Sequence, residues 1–168
     1  GAEQKAWIGA AVAIKEPTYA SFGRHAGSNL LVVGAWDESA LGVLANAVIS
    51  LVAQNRTRSE ERGARSEEQP PESGSATPAP REARFYVLDG TRPESPEAGA
   101  WQRIADALPR YVEVISQREV GRVMNEVATE LARREAESDE NAPPIYLVVF
   151  NGGRFRDLRR GEDDFSFS

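Results

Sequence analysis

"LLVVGAWDESALGVLANAVISL", Leu30 to Leu51, decides the fold. Four β-rich or aliphatic residues end on Gly34, a short polar turn follows, and from Asp37 the apolar residues change period. Leu41, Leu44, Ala45, Val48, Leu51 and Val52 recur at the spacing of one helical face. Asn29–Gly34 is therefore expected to be a buried strand and the residues after Asp37 a helix. The Asp37 carboxylate is placed to cap it by accepting from orphan backbone N–H groups. Val43, Ala47 and Ile49 widen the apolar surface nearly all round, which predicts a deeply packed helix.

The same alternation continues outward. "RFYVLDG", Arg84 to Gly90, reads as a second strand closed by an Asp-Gly turn. Ser95 and Pro96 suit a helix cap and the first helical position, ahead of Trp101, Ile104, Ala105 and Leu108 at helical spacing. "YVEVI", Tyr111 to Ile115, alternates as a short strand. Val120, Val123, Val127 and Leu131 form the stripe of a longer helix, with Arg122, Glu126, Glu130 and Arg133 outside it. "IYLVVF", Ile145 to Phe150, is a continuous run suited to a sheet covered on both faces. Alternating strands and helices predict an α/β, three-layer fold: a mainly parallel central sheet with helices on both faces, joined by right-handed crossovers.

Residues 1–28, with "WIGAAVAI" at Trp7 to Ile14, are expected to add an edge strand or hairpin arm, and residues 29–168 to form the main domain. Arg56 to Glu82 contains no Leu, Ile, Val, Phe, Tyr or Trp. Such a stretch cannot bury enough apolar surface to offset its ordering entropy, and a long disordered insertion is expected there.

Composition bounds the chemistry. A chain of 168 residues with 40% hydrophobic and 27% charged residues has the make-up of one globular domain. A formal charge of −6 weighs against an autonomous nucleic-acid binder, whose affinity comes largely from Lys and Arg on phosphates. There is no cysteine and a single histidine, His25, so thiolate chemistry and Cys/His metal sites are not expected. Aliphatic runs fall far short of the roughly 20 residues that cross a bilayer, and no signal peptide is visible. A cytoplasmic setting is expected for a segment that opens on Gly1, ends at "DDFSFS" and reads as a piece truncated at its C-terminal end. Any membrane anchor of the parent protein would lie outside it.

A strand, a glycine, a turn and a helix also outline a phosphate loop, G-x-x-x-x-G-K-[ST]. Laid on the chain without gaps, the loop spans Gly34, Ala35, Trp36, Asp37, Glu38, Ser39, Ala40 and Leu41. Ser39 stands at the second glycine, Ala40 at the lysine and Leu41 at the magnesium-binding hydroxyl. Asp37 and Glu38 carry the wrong sign for a triphosphate: like unit charges at 4 Å repel by roughly 4 kcal/mol at an effective dielectric of 20. The same acids suit an empty helix N-terminus, whose dipole favours negative charge. The protein's own carboxylates take the part of the anion.

The order of "GSNLLVVGAWDESALGVLANAVISLVAQ", "ARFYVLDG", "ALPRYVEVI", "VGRVMNEVATELARREAE" and "PPIYLVVFNGGRFRDLRR" resembles the motor domain of FtsK/SpoIIIE-type DNA translocases. These are HerA-like P-loop ATPases with a RecA-like core. The resemblance covers most of the chain outside Arg56 to Glu82 and implies a P-loop fold. It aligns the last stretch with the Walker B strand, where the family has Asp-Glu and this chain has Asn151 and Gly152. Neither an amide nor a glycine can act as a base. Where the family's second strand is followed by Asp-Pro, this chain has Asp89 and Gly90. Loss of both nucleotide motifs implies a degenerate copy that no longer hydrolyses nucleotide, of the kind that sits beside active copies in multi-domain members. No catalytic residue, metal or cofactor is then expected in this segment. Its partners would be other P-loop domains of the same protein or oligomer, with DNA or a protein substrate reached through the parent.

Two rival functions follow from other residues. A nucleotide hydrolase with an unconventional loop would use Asp89 or Asp157 to hold magnesium beside ATP. A nucleic-acid-binding module would use the basic stretch Arg154, Arg156, Arg159 and Arg160, against the simpler pairing of these arginines with Glu162, Asp163 and Asp164. Trp7, Trp36 and Trp101 are expected to pack, with Trp36, at the loop tip, an anchor for a partner if exposed.

Overall fold

The computed structural model describes residues 3–10, 16–23, 28–67, 82–139 and 142–155. Two strands near the N-terminus, β1 (Gln4–Gly9) and β2 (Thr18–Phe22), pair antiparallel as a hairpin arm. After them come helix α1 (Asp37–Glu67), strand β3 (Arg84–Asp89), helix α2 (Ala100–Ala107), strand β4 (Val112–Ile115), helix α3 (Val120–Glu137) and strand β5 (Ile145–Phe150). β3, β4 and β5 form a parallel sheet in the order β4-β3-β5. The chain is thus a mixed α/β protein. No described helix is long and apolar enough to cross a membrane.

Period-two alternation in β3 splits the core between the two sheet faces. Phe85 and Val87 point to α1 and α2, where they pack with Val48, Leu51, Val52 and Trp101. Tyr86 and Leu88 point to α3, where they meet Val120, Val123 and Ile115. The crossovers β3–α2–β4 and β4–α3–β5 run in opposite directions across the sheet and put their helices on opposite faces, so both have the same hand.

α1 also closes the free edge of β1, using side chains in place of a strand. The Gln54 amide accepts from the Lys5 backbone N–H (3.0 Å) and donates to the Lys5 carbonyl (2.6 Å). Ser50 Oγ accepts from the Trp7 N–H (3.0 Å). Deeper in, the buried pair Gln4 and Asn55 exchange amide hydrogen bonds at 2.8 and 3.2 Å, and Gln4 Oε1 also accepts from the Tyr146 hydroxyl. One polar network thereby joins the arm, α1 and β5, with its buried amides satisfied. Strand edges left open invite pairing with other chains, and this device blunts one.

The structure corrects four expectations. Asn29–Gly34 forms no hydrogen-bonded strand: it is irregular, and Leu31 and Val33 are 84% and 86% exposed. An apolar run is held as a buried strand only where neighbouring elements cover its faces. Helix α1 runs on to Glu67, through the first part of the expected disordered insertion. Once its N-terminal half is docked, each added residue gains a backbone bond without a new nucleation cost. Residues 68–81 of that insertion lie outside the described residues. α1 is not buried all round either: Ala47, Val48, Leu51 and Val52 are buried, while Ile49 is half exposed. Finally, α2 starts at Ala100 rather than Pro96, behind Gly99 at φ 73°, because residues 95–100 form successive tight turns closed by Ala98 N–H to Ser95 O and Ala100 N–H to Glu97 O, both 3.0 Å.

α3 ends in a charge cluster. Glu130 accepts from Arg133 Nε and Nη2, both at 2.9 Å, and from Arg134 Nε at 2.8 Å. These hydrogen bonds hold the Glu130 carboxyl down to about 2, against an ordinary value of 4.5. A depressed carboxylate contributes stability that is fully present above the unfolded value and lost as pH falls toward the folded one. Relative to Glu130→Gln, the wild-type chain should therefore hold a constant advantage in melting temperature above pH 4.5, narrowing steadily toward pH 2. An advantage that persists unchanged at pH 3 would refute the assignment.

Candidate functional site

Parallel strands bring β3 and β5 to a common carboxyl edge, where Asp89 lies opposite Phe150. The first turn of α1 starts at the same edge. Between them lies an open cleft of about 1020 Å³. Its walls are Leu31 to Gly34, Asp37 and Ala40 of α1, the loop from Gly90 to Ser95, and Val149 to Arg154. Open α/β sheets place ligands at such an edge.

Here the two stretches singled out in the sequence meet. Asn151 Nδ2 donates to Asp37 Oδ2 at 3.2 Å, across 114 residues of chain. Asn151 reaches over because it has a left-handed backbone (φ 52°), a conformation that asparagine tolerates better than most residues. The chain then tightens into a 3₁₀ turn, Gly152–Arg154, and Phe155 drops into the α3-side core. Asp37 is the first residue of α1, and with Glu38 it puts two acids in the opening turn. Its carboxylate faces Asn151, and Trp36 O closes the first helical bond with Ala40 N–H (3.1 Å).

Gly90 sets how closely the strands approach. Its N–H donates to Phe150 O at 2.9 Å, and a β-carbon built there would lie 2.4 Å from Asn151 O and 2.7 Å from Phe150 O. Arg154 turns inward, with Nη1 3.4 Å from Gly90 O and 3.0 Å from Thr91 O. Asp89 Oδ1 accepts from Thr91 N–H (2.9 Å) and from the Thr91 hydroxyl, which makes it the pivot of the turn.

The remaining candidates separate. Gly34, Asp37, Ala40, Asn151, Gly152 and Arg154 line the cleft. Ala40 and Leu41 also pack against the core of the α1 face. Ala35, Trp36, Glu38 and Ser39 are exposed, Trp36 at 78%. Trp101 is fully buried, and Trp7 stacks edge-on against Tyr19 at 5.1 Å between ring centres. His25, Arg156, Asp157, Arg159, Arg160 and the acids at 162–164 lie outside the described residues. Arg92 and Glu94, which also line the cleft, were not singled out from the sequence. A glycine directly after a strand end was the available signal for that loop.

A triphosphate with magnesium does not fit these residues. Leu41, which the phosphate-loop alignment would set at the hydroxyl position, packs inward, as does Ala40, which it would set at the lysine position, and Asp37 begins the helix. Asp37 and Glu94 balance Arg92 and Arg154 among the described charges of the lining, and Arg154 is engaged with two carbonyls. Such a lining lacks the excess positive potential that polyphosphates require. Among the described residues, no three His, Cys, Asp or Glu side chains come together as metal ligands. The cleft offers hydrogen bonding and shape.

The fold is mixed α/β, with an open cleft at the carboxyl edge of its parallel strands. No protein-family model, curated protein or solved structure matches the chain.

Proposed function

We propose that this chain is a non-catalytic P-loop-type module of a larger FtsK/SpoIIIE-like protein, acting as a structural or partner-binding element beside active ATPase domains. The contact between Asn151 and Asp37 carries the proposal. One residue stands in the degenerate phosphate loop, the other where the resemblance puts the first Walker B acid, and they satisfy each other. In a working site that space holds magnesium between an acid and the phosphates. Here a neutral amide bridges to a carboxylate, so the pair offers one acid where a working site holds magnesium with more.

Crossovers of one hand on a parallel sheet are compatible with a P-loop-type architecture, and Leu31–Gly34 line the cleft at its carboxyl edge. Exposed Trp36 beside the cleft gives the module an aromatic anchor for a neighbouring domain.

Calorimetry of the chain with ATP and magnesium is expected to show no binding at millimolar ligand. Micromolar affinity abolished by Asp89→Ala would overturn the proposal in favour of an unconventional nucleotide hydrolase.

A further inference from the structure

The hairpin arm has one guarded edge and one open edge. Lys5 and Trp7 of β1 stand opposite Ser21 and Tyr19 of β2. The Lys5 N–H and carbonyl both go to Gln54 of α1, and the Trp7 N–H goes to Ser50. In an antiparallel ladder, a residue whose backbone groups face away from its partner belongs to a non-hydrogen-bonded pair, and the residue opposite faces away as well. The backbone N–H and C=O groups of Tyr19 and Ser21 therefore point out of the hairpin, on the side away from α1. Among the described residues no backbone group meets them, and both residues are exposed. Thr18, Tyr19, Ala20, Ser21 and Phe22 include neither a charge nor a proline, the usual guards of an edge.

We propose that β2 pairs antiparallel with β2 of a second copy of this chain, joining the two hairpins into one sheet about a two-fold axis at Ala20. A two-fold contact needs a self-complementary surface, and one register supplies it. With Ala20 opposite Ala20 of the second copy, Tyr19 of each chain faces Ser21 of the other, and each such pair exchanges both of its N–H···O bonds. Every outward group of Tyr19 and Ser21 is then satisfied. Setting Tyr19 opposite its own copy would put Ser21 against Pro17, which has no N–H to give. Setting Ser21 opposite its own copy would put Tyr19 against Gly23, whose N–H already goes to Ser28 Oγ at 3.1 Å. A slip of one residue would mismatch the pleat. Alanine at the axis suits the close approach of a non-hydrogen-bonded pair, about 4.5 Å between Cα atoms. Charge favours the same occupant. Each chain carries −6, yet β2 is neutral, so two copies meet here without like charges opposed. Lys5 would lie three strand spacings from Lys5 of the second copy, about 14 Å, beyond the Debye length of about 8 Å at physiological salt. A junction of two five-residue strands falls short of the roughly 1,200 Å² of a standard interface, so the dimer is weak and forms by mass action. The proposal rests on the hydrogen bonding of the hairpin and is independent of the phosphate-loop reading.

Sedimentation of the 168-residue chain tests the pairing. Its mass should move reversibly from 18.3 kDa toward twice that value as concentration rises from micromolar toward millimolar. Ser21→Pro deletes an N–H that points out of the hairpin, a change an edge strand tolerates, and should hold the chain monomeric with its melting temperature unchanged at low concentration. Cross-linking reads the same register without touching the backbone. The chain has no cysteine, so Ala20→Cys supplies a single thiol at the axis, and mild oxidation of the folded protein should give a disulfide-linked dimer. Ile49→Cys, half exposed on α1, should cross-link many-fold more slowly. A wild-type chain that stays monomeric to millimolar concentration would overturn the proposal. So would a dimer that survives Ser21→Pro, or equal cross-linking rates for Ala20→Cys and Ile49→Cys.

Discussion

Trp101→Ala is expected to destabilise the protein by about 3 kcal/mol, the low end of the range for deleting a buried aromatic ring. Trp101 is fully buried on α2, packs against Phe150 with ring centres 6.2 Å apart, and belongs to the core formed by α1, α2 and the sheet. Its removal leaves a cavity at the point where three elements meet, and dense interiors collapse into such cavities only partly. The low end applies because the indole Nε1 has no hydrogen-bond partner among the described residues. An unpaired buried donor itself costs on the order of 1–3 kcal/mol, and the alanine variant is relieved of it. Trp101→Phe separates the two effects. It keeps most of the ring contact while deleting the orphan donor, and should fall within about 1 kcal/mol of wild type. Urea unfolding with an unchanged slope measures both. A phenylalanine variant as unstable as the alanine one would show that the indole is satisfied after all.

Elements with strong periodicity were legible in the sequence. β3, β4, β5 and α3 fall where their spacing predicts, because alternation in a strand and the Val120–Val123–Val127 stripe each report a face that is buried, although Leu131, expected to continue that stripe, is 56% exposed. The misses come from information that no local pattern carries. Leu30 to Val33 has the composition of a buried strand, but whether it becomes one depends on what covers it. The Arg56 to Glu67 stretch has nothing to bury, and it is helical because it continues a helix already anchored by Ala47, Val48, Leu51 and Val52. For the cleft, the sequence singled out Gly34–Leu41 and Asn151–Gly152 separately, each after an apolar run. It did not show that Asn151 would turn left-handed and close on Asp37. That contact exists only once β5 is in register with β3.

Register at the cleft depends in turn on Gly90, and Gly90→Ala is expected to cost about 3 kcal/mol, the upper end of ordinary overpacking. If Gly90 served only as the second residue of an Asp-Gly turn, alanine would be mild there, about 1 kcal/mol or less. The structure gives it a different role. The alanine methyl would stand 2.4 Å from the Asn151 carbonyl oxygen and 2.7 Å from that of Phe150, both backbone atoms that no rotamer change can move aside. β5 must then shift away from β3, which weakens the Gly90 N–H to Phe150 O bond and pulls Asn151 from Asp37. Two readouts follow from one substitution. Thermal unfolding should report the loss of stability, and the Asn151 side-chain amide should lose its distinct proton resonances in a folded sample held well below the midpoint. Asp37→Ala is the control, since it deletes the same exposed contact without moving the strand and should alter the resonances at little cost in stability. A Gly90→Ala protein as stable as wild type would mean that the two strand ends are not held at the distance on which the cleft depends.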